Sequence, residues 1–272
     1  MSKKMHWFWV LAPGILILVI GLGGCKKDTP TGPGETGIEL SGRIQDGTAG
    51  AAGTSGTTEV GMLSVTAPVS GVDVYLSWGG AQKTATASDG SFAFKNLPAG
   101  NYIITPSRKG FAFNPSNYEA GATTRKDLNF TAAAASTGTE VNNVARNFTA
   151  NNQSGQSVSL WDHHGKVVLL DFTADWCTPC REKAETAEAF YQQFRDKGFM
   201  YILVVIDGDP ANWANTYKLT FPVLNDNSQA IYNHFRKTSI PLPHVLDRNM
   251  TIRYKKEGWN KSEVEDVIRK YL

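Results

Sequence analysis

The sequence predicts two domains in tandem, an all-β sandwich followed by an α/β layered fold, and three observations carry that expectation. Residues 38–131 break into short alternating segments separated by Gly, Pro and Asp turns, the pattern of half-buried strands. Residues 141–272 alternate apolar strands with helical stretches, the late strands in hairpin register before a final helix. Between them, Ala132 to Glu140 is Ala, Ser, Thr and Gly with almost no apolar bulk, which suits a boundary linker over 132–140.

At 272 residues the chain is long enough for two domains, and 41% hydrophobic with 19% charged residues is a globular composition. The formal charge of +2 comes from Lys3 and Lys4; without the first 24 residues, 25 basic residues face 25 acidic ones. That balance argues against a nucleic-acid partner.

Residues 1–24 read as a targeting segment: Lys3-Lys4, an apolar run from Trp7 to Leu22 interrupted by Pro13-Gly14, then Leu22-Gly-Gly-Cys25. The last four residues resemble the lipobox of bacterial lipoproteins. That resemblance implies lipidation of Cys25, cleavage before it, and a protein held at a membrane outside the cytoplasm, on a periplasmic or outer-membrane face. The competing reading is an uncleaved membrane helix. Residues 25–37, rich in Thr, Pro and Gly, read as a flexible tether. With Cys25 assigned to lipid, the other two cysteines fall in one motif, leaving none for a disulfide framework or a four-cysteine zinc site.

In the first domain, strand-sized pieces lie at 38–44, 72–76, 83–87, 92–94, 102–105 and 128–130. Ser41-Gly-Arg-Ile44, Gly71-Val-Asp-Val74, Ser88-Asp-Gly-Ser-Phe92-Ala-Phe94, Asn96-Leu-Pro-Ala-Gly-Asn-Tyr102 and Lys109-Gly-Phe111 together resemble the carboxypeptidase regulatory-like domain, a transthyretin-like β-sandwich. Asp89-Gly90 and Pro98 to Gly100 supply tight turns flanked by aromatics. The run Gly47 to Thr58 departs from the family as an inserted loop. This half has neither Cys nor His, so it reads as a spacer or binding module, with Phe92, Phe94, Tyr102, Phe111 and Phe113 as packing residues.

The second domain is organised around Val167-Val-Leu-Leu-Asp171-Phe-Thr-Ala-Asp-Trp176-Cys177-Thr-Pro-Cys180-Arg181. An apolar strand leads through a short loop into Cys-x-x-Cys at a helix start. Two thiols so spaced close a small disulfide, and unpaired amides of the first turn favour a thiolate on the first. The elements that follow are a helix over 179–197, a strand over 199–206, helices over 212–218 and 229–236, strands over 244–246 and 251–254, and a helix from Ser262.

Gly165 to Phe172, Ala174 to Arg181, Phe221-Pro-Val-Leu-Asn-Asp226, Pro241 and Val245-Leu-Asp-Arg-Asn249 resemble the TlpA/ResA-like extracytoplasmic thioredoxins. The resemblance implies a thiol-disulfide oxidoreductase with a redox-active Cys177–Cys180 disulfide and no other cofactor, Cys177 attacking and Cys180 resolving. It places Asp171 where thioredoxins carry a buried acid able to exchange a proton with Cys180; the plainer reading is a strand-end hydrogen bond. Trp176 would cover the disulfide and Pro179 would fix the first turn. Pro241, with Pro243 as competitor, would be the family's cis-proline, opening the Ile240 backbone to a substrate strand. Pro241-Leu-Pro-His departs from the Pro-Glu-Thr of cytochrome c maturation reductants, and Glu185 stands where relatives have a kinking proline. His163, His164, His234 and His244 are scattered and imply no metal site.

The implied activity is reduction of protein disulfides in the cell envelope, re-reduced by an upstream electron donor. Two competing functions are a surface-binding lipoprotein with a vestigial redox half, and a thiol peroxidase. The peroxidase motif calls for Pro and Thr where this chain has Leu170 and Ala174.

Overall fold

A computed structural model describes residues 37–47, 67–77, 82–235 and 239–272. The leader, Cys25, the tether and nearly all of the expected insertion lie outside the described residues. No helix among the described residues is long and apolar enough to cross a membrane.

The first half is a sandwich of two four-stranded sheets. Its strands are β1 (Ile38–Asp46), β2 (Asp73–Ser77), β3 (Gln82–Ala85), β4 (Ser91–Leu97), β5 (Tyr102–Ser107), β6 (Phe111–Asn114), β7 (Tyr118–Ala120) and β8 (Phe130–Ala134). The sheets run β4-β1-β8-β6 and β3-β2-β5-β7. Period-2 alternation sends Leu40, Ile44, Phe92, Phe94, Val74, Leu76, Tyr102 and Phe130 into one core between them. The Asp89-Gly90 turn forms as expected: the Ser91 amide donates to Asp89 Oδ1 at 3.0 Å. Gly90 has φ +75° and leaves no room for a Cβ, which would fall 2.4 Å from the Ile44 carbonyl oxygen. Two strands were not anticipated, β6 and β7, because four and three residues are too few to show a period.

The segment expected to be a linker is ordered. β8 runs through Ala134, and β9 (Thr137–Gly138) pairs in parallel with β10 (Val144–Ala145). A small hairpin of β11 (Thr149–Asn151) and β12 (Ser157–Ser159) follows.

The second half then alternates β13 (Val167–Ala174), α1 (Thr178–Ala184), α2 (Ala187–Phe194), β14 (Phe199–Asp207), α3 (Pro210–Tyr217), β15 (Val223–Asn225) and α4 (Ala230–His234). It closes with β16 (His244–Leu246), β17 (Ile252–Lys255) and α5 (Lys261–Tyr271). The sheet order is β15-β14-β13-β16-β17; β13, β14 and β15 are parallel, and β16 and β17 antiparallel. Every residue of β13 is buried, as a central strand covered on both faces requires.

One correction concerns the helix expected over 179–197, which is two helices. Glu185 and Thr186 separate α1 from α2, and the Thr186 hydroxyl donates to the Lys183 carbonyl at 3.3 Å. A threonine side chain turned back on the preceding turn competes with the helix ladder, so the break forms without a proline.

The two halves pack as one compact unit. All six residues of β5 are buried, and they face two ways: Tyr102 and Ile104 enter the sandwich core, while Ile103 belongs to the core of the second half. The turn after β16 docks on that strand. Ser107 Oγ donates to the Arg248 carbonyl at 2.7 Å, and Asn249 accepts from the Arg108 amide and donates to the Phe111 carbonyl, both at 3.1 Å. Ser77 Oγ donates to the Tyr271 carbonyl at 2.9 Å.

Candidate active site

Cys177 precedes α1 and Cys180 lies in its first turn, and their sulfurs are bonded to each other. The Cys180 amide donates to Cys177 Sγ at 3.3 Å, the bond that would hold a thiolate there. Pro179 occupies the first turn, where its missing N–H costs nothing. Cys177 is 3% exposed and Cys180 fully buried, so the first sulfur reaches solvent only at its edge. Trp176, expected over the disulfide, is 63% exposed and presents most of its indole to solvent. Its neighbour Asp175 is anchored instead: the Trp213 indole N–H donates to Asp175 Oδ1 at 2.5 Å, and Arg181 donates to the Asp175 carbonyl at 2.9 Å.

The Ile240–Pro241 peptide is cis, and the Ile240 carbonyl oxygen lies 3.8 Å from Cys177 Sγ. Pro241, rather than Pro243, is therefore the proline whose preceding carbonyl meets the Cys177 sulfur. Pro179, Lys183, Ile240, Pro241 and Trp259 line a groove of 460 Å³ next to the disulfide.

Beneath α1, Asp171 is fully buried on β13. Its Oδ1 accepts the Phe172 amide at 3.0 Å, and its Oδ2 accepts the Tyr201 hydroxyl at 3.1 Å. Oδ2 also forms an ion pair with Lys183 Nζ, both side chains being at most 2% exposed. Burial pulls the Lys183 ammonium down to about 7 and pushes the Tyr201 hydroxyl up. The Trp259 ring covers Lys183, with Nζ 5.4 Å from the ring centroid. Sequence reasoning reached Asp171 and missed Lys183, Tyr201 and Trp259. The available signal was spacing: Lys183 stands three residues after Cys180 and shares its helix face.

The histidines do not gather. His244 is fully buried, edge-on to Phe172 and Phe235, with Nδ1 3.1 Å from the Leu242 carbonyl, and burial pushes it down to about 3. His163 and His164 are half-buried and also lowered by desolvation. Among the described residues no three His, Cys, Asp or Glu side chains form a metal-sized cluster.

Both family expectations are matched by known proteins. Residues 141–255 match the AhpC/TSA family, and residues 64–133 match the carboxypeptidase regulatory-like domain. The chain is similar to the thioredoxin-like protein YneN of Bacillus subtilis, with 32% identity over 130 residues, 46% of this chain and 76% of YneN. It is 26% identical over 137 residues to the thiol-disulfide oxidoreductase ResA of Bacillus thuringiensis, covering 48% of this chain and 78% of ResA. The solved thioredoxin domain of a thiol-disulfide oxidoreductase from Bacteroides vulgatus aligns with a TM-score of 0.44 at 25% identity, over 48% of this chain and 97% of that one.

Proposed function

The chain belongs to the thioredoxin-like AhpC/TSA family, with a carboxypeptidase regulatory-like domain ahead of the redox half, and from that membership we propose that it is a thiol-disulfide oxidoreductase that reduces extracytoplasmic protein disulfides through Cys177 and Cys180. The observation that carries this reading is the Cys177–Cys180 disulfide at the start of α1, opening beside a groove able to take an extended peptide.

In the reducing direction the Cys177 thiolate attacks one sulfur of a substrate disulfide. A Cys177–substrate disulfide forms and the other substrate sulfur leaves as a thiolate. The Cys180 thiol then gives its proton to the Asp171 carboxylate and attacks Cys177 Sγ. This closes the Cys177–Cys180 bond and releases the second substrate sulfur. Two electrons pass from the enzyme dithiol to the substrate, and an upstream dithiol donor restores the enzyme. The redox-active disulfide is the only cofactor in this scheme. Trp176 and the Ile240 backbone form the contact surface for the substrate chain, while Pro179 and Pro241 shape it. Cys25, lipidated, holds the domains at the membrane.

The test uses the reduced protein and insulin as a disulfide substrate. The parent should reduce insulin; Cys180→Ser should stop at a mixed disulfide on Cys177, and Cys177→Ser should form none. Trapping on Cys180 in preference to Cys177 would reverse the two roles, and no exchange by the parent would overturn the function.

A further inference from the structure

We infer that His244 is a positioning residue for substrate binding: its imidazole holds the Leu242 carbonyl, and so fixes the turn of chain that presents the Ile240 backbone beside Cys177. The inference rests on the thiol-disulfide reading proposed above.

The loop Ile240-Pro-Leu-Pro243 has proline at two of its four positions, and neither proline has an amide hydrogen to donate. A loop short of donors is held by the groups that donate to its carbonyls. Three successive carbonyls have different fates here. That of Ile240 faces Cys177 Sγ at 3.8 Å. That of Pro241 accepts the amide of Gly258, in the loop after β17, at 2.9 Å. That of Leu242 accepts from His244 Nδ1 at 3.1 Å.

The imidazole stands on a rigid base. His244 opens β16, where its backbone is paired with Leu170 of the central strand β13 on one side and with Lys255 of β17 on the other. Its ring meets Phe172 and Phe235 edge-on, with centroids 5.9 and 5.3 Å away. Pro241, Leu242 and Pro243 are buried with it. Burial keeps the ring neutral, so it carries one proton. A carbonyl only accepts, which places that proton on Nδ1 and leaves Nε2 a bare acceptor.

The second observation is what this arrangement gives up. Nε2 is buried and meets no donor among the described residues. A buried polar atom without a partner is destabilising. A phenylalanine would fill the same aromatic cage without that cost, as Phe172 and Phe235 already do around it. What phenylalanine lacks is the Nδ1 donor. The bond to the Leu242 carbonyl, two residues from Ile240, is therefore what sets histidine apart from an apolar ring at this position.

An extended substrate that pairs with the Ile240 backbone gains most when that backbone is oriented before the substrate arrives. Without the His244 bond the Leu242 peptide is free to turn, and Ile240 spreads over orientations of which one accepts the substrate. That loss weakens the ground state and the transition state alike, so it falls on KM and not on kcat.

The experiment follows insulin reduction by the full chain, with dithiothreitol restoring the dithiol, beside reduction of hydroxyethyl disulfide, which has no backbone to pair with Ile240. His244→Phe is expected to raise the KM for insulin about fivefold, while kcat for insulin and turnover of hydroxyethyl disulfide change less than about twofold. His244→Asn, whose side-chain amide nitrogen can take the place of Nδ1, should bring the insulin KM back toward the parent's. An unchanged insulin KM in His244→Phe overturns the inference, as does an equal loss with both substrates. A His244→Asn no better than His244→Phe overturns it too, by assigning the effect to the packing of the ring. If neither variant folds, the parent answers by itself: the nitrogen-15 shifts of the His244 ring should report a proton on Nδ1 and none on Nε2. The opposite tautomer overturns the inference, since it cannot donate to Leu242. The failure of the broader reading is distinct, because a parent that reduces neither substrate sinks the oxidoreductase proposal and this inference with it.

Discussion

Arg248 stacks on Tyr75, its guanidinium carbon 4.7 Å from the ring centroid, so a buried cation of the redox half rests on an aromatic residue of the sandwich. Its nitrogens donate to the carbonyls of Gly165 at 2.9 Å, Leu272 at 3.0 Å and Lys197 at 3.4 Å. Burial lowers its pKa, as expected for a charge solvated by carbonyls instead of water.

The first prediction follows from that placement. Arg248→Ala removes three carbonyl bonds and the stacking contact at once, and should cost about 3 kcal/mol of unfolding free energy. Urea unfolding should show one cooperative transition for the parent and a lower midpoint for the variant. Two well-separated transitions in the parent, with Arg248→Ala unchanged, would mean that the contact couples nothing.

How much of this was legible in the sequence depends on which partner of each pair carried a signal. Asp171 stood out because an acid in an apolar strand is anomalous. Lys183 did not, because a lysine within Arg181-Glu-Lys183 reads as a solvated helix face, and only the fold shows that this face turns inward. A strand over 102–105 says nothing by itself of which core Ile103 enters, yet three consecutive bulky residues at 102–104 indicate a strand covered on both sides. The break at Thr186 was hidden because the family's marker for it, a proline, is absent; a hydroxyl reaching back to Lys183 does the same job by a local bond. The disulfide site needed no long-range information, since the strand before the sulfurs, both cysteines and the helix after them follow one another without interruption in the chain, from Val167 to Ala184.

Acid stability gives the second prediction. His244 is held near 3 by burial, against its usual 6.5, so the unfolded chain binds the proton first. Stability is then present in full above 6.5 and is lost as pH falls from 6.5 towards 3, by about 3 kcal/mol at pH 4 from this residue alone. His163 and His164 act in the same sense but are more solvated. In His244→Phe, where the neighbours are already Phe172 and Phe235, the urea midpoint should fall less between pH 7 and pH 4 than in the parent. An equally steep fall in the variant would assign the acid sensitivity to other groups.

Anchoring is checked by Cys25→Ser. If Leu22-Gly-Gly-Cys25 is processed as a lipobox, the variant should leave the membrane fraction or accumulate with its leader intact. Unchanged membrane retention after a cut at Gly24 would sink the lipoprotein reading.

The last prediction concerns direction, which the charges around Cys177 decide. A strongly oxidising disulfide needs its reduced thiolate stabilised, because that is what makes the dithiol form favourable. Here the Cys177 sulfur receives one amide, from Cys180 at 3.3 Å, and faces a carbonyl oxygen, that of Ile240 at 3.8 Å, whose negative end opposes an anion. The two cations of α1 are occupied elsewhere. Arg181 donates to the Asp175 carbonyl and to Thr178 Oγ1, and Lys183 is paired with Asp171. Near-complete burial of Cys177 disfavours the thiolate further. The disulfide should therefore be the stable form, with a potential nearer the roughly −270 mV of thioredoxin than the roughly −120 mV of strong oxidants. Equilibration against graded glutathione mixtures, with free thiols trapped and counted, measures it directly. A potential above about −180 mV, the range of isomerases, would turn the proposed reductant into an oxidant or isomerase. Arg181→Ala should leave the value nearly unchanged, since its guanidinium is directed to Asp175 and not to the sulfur.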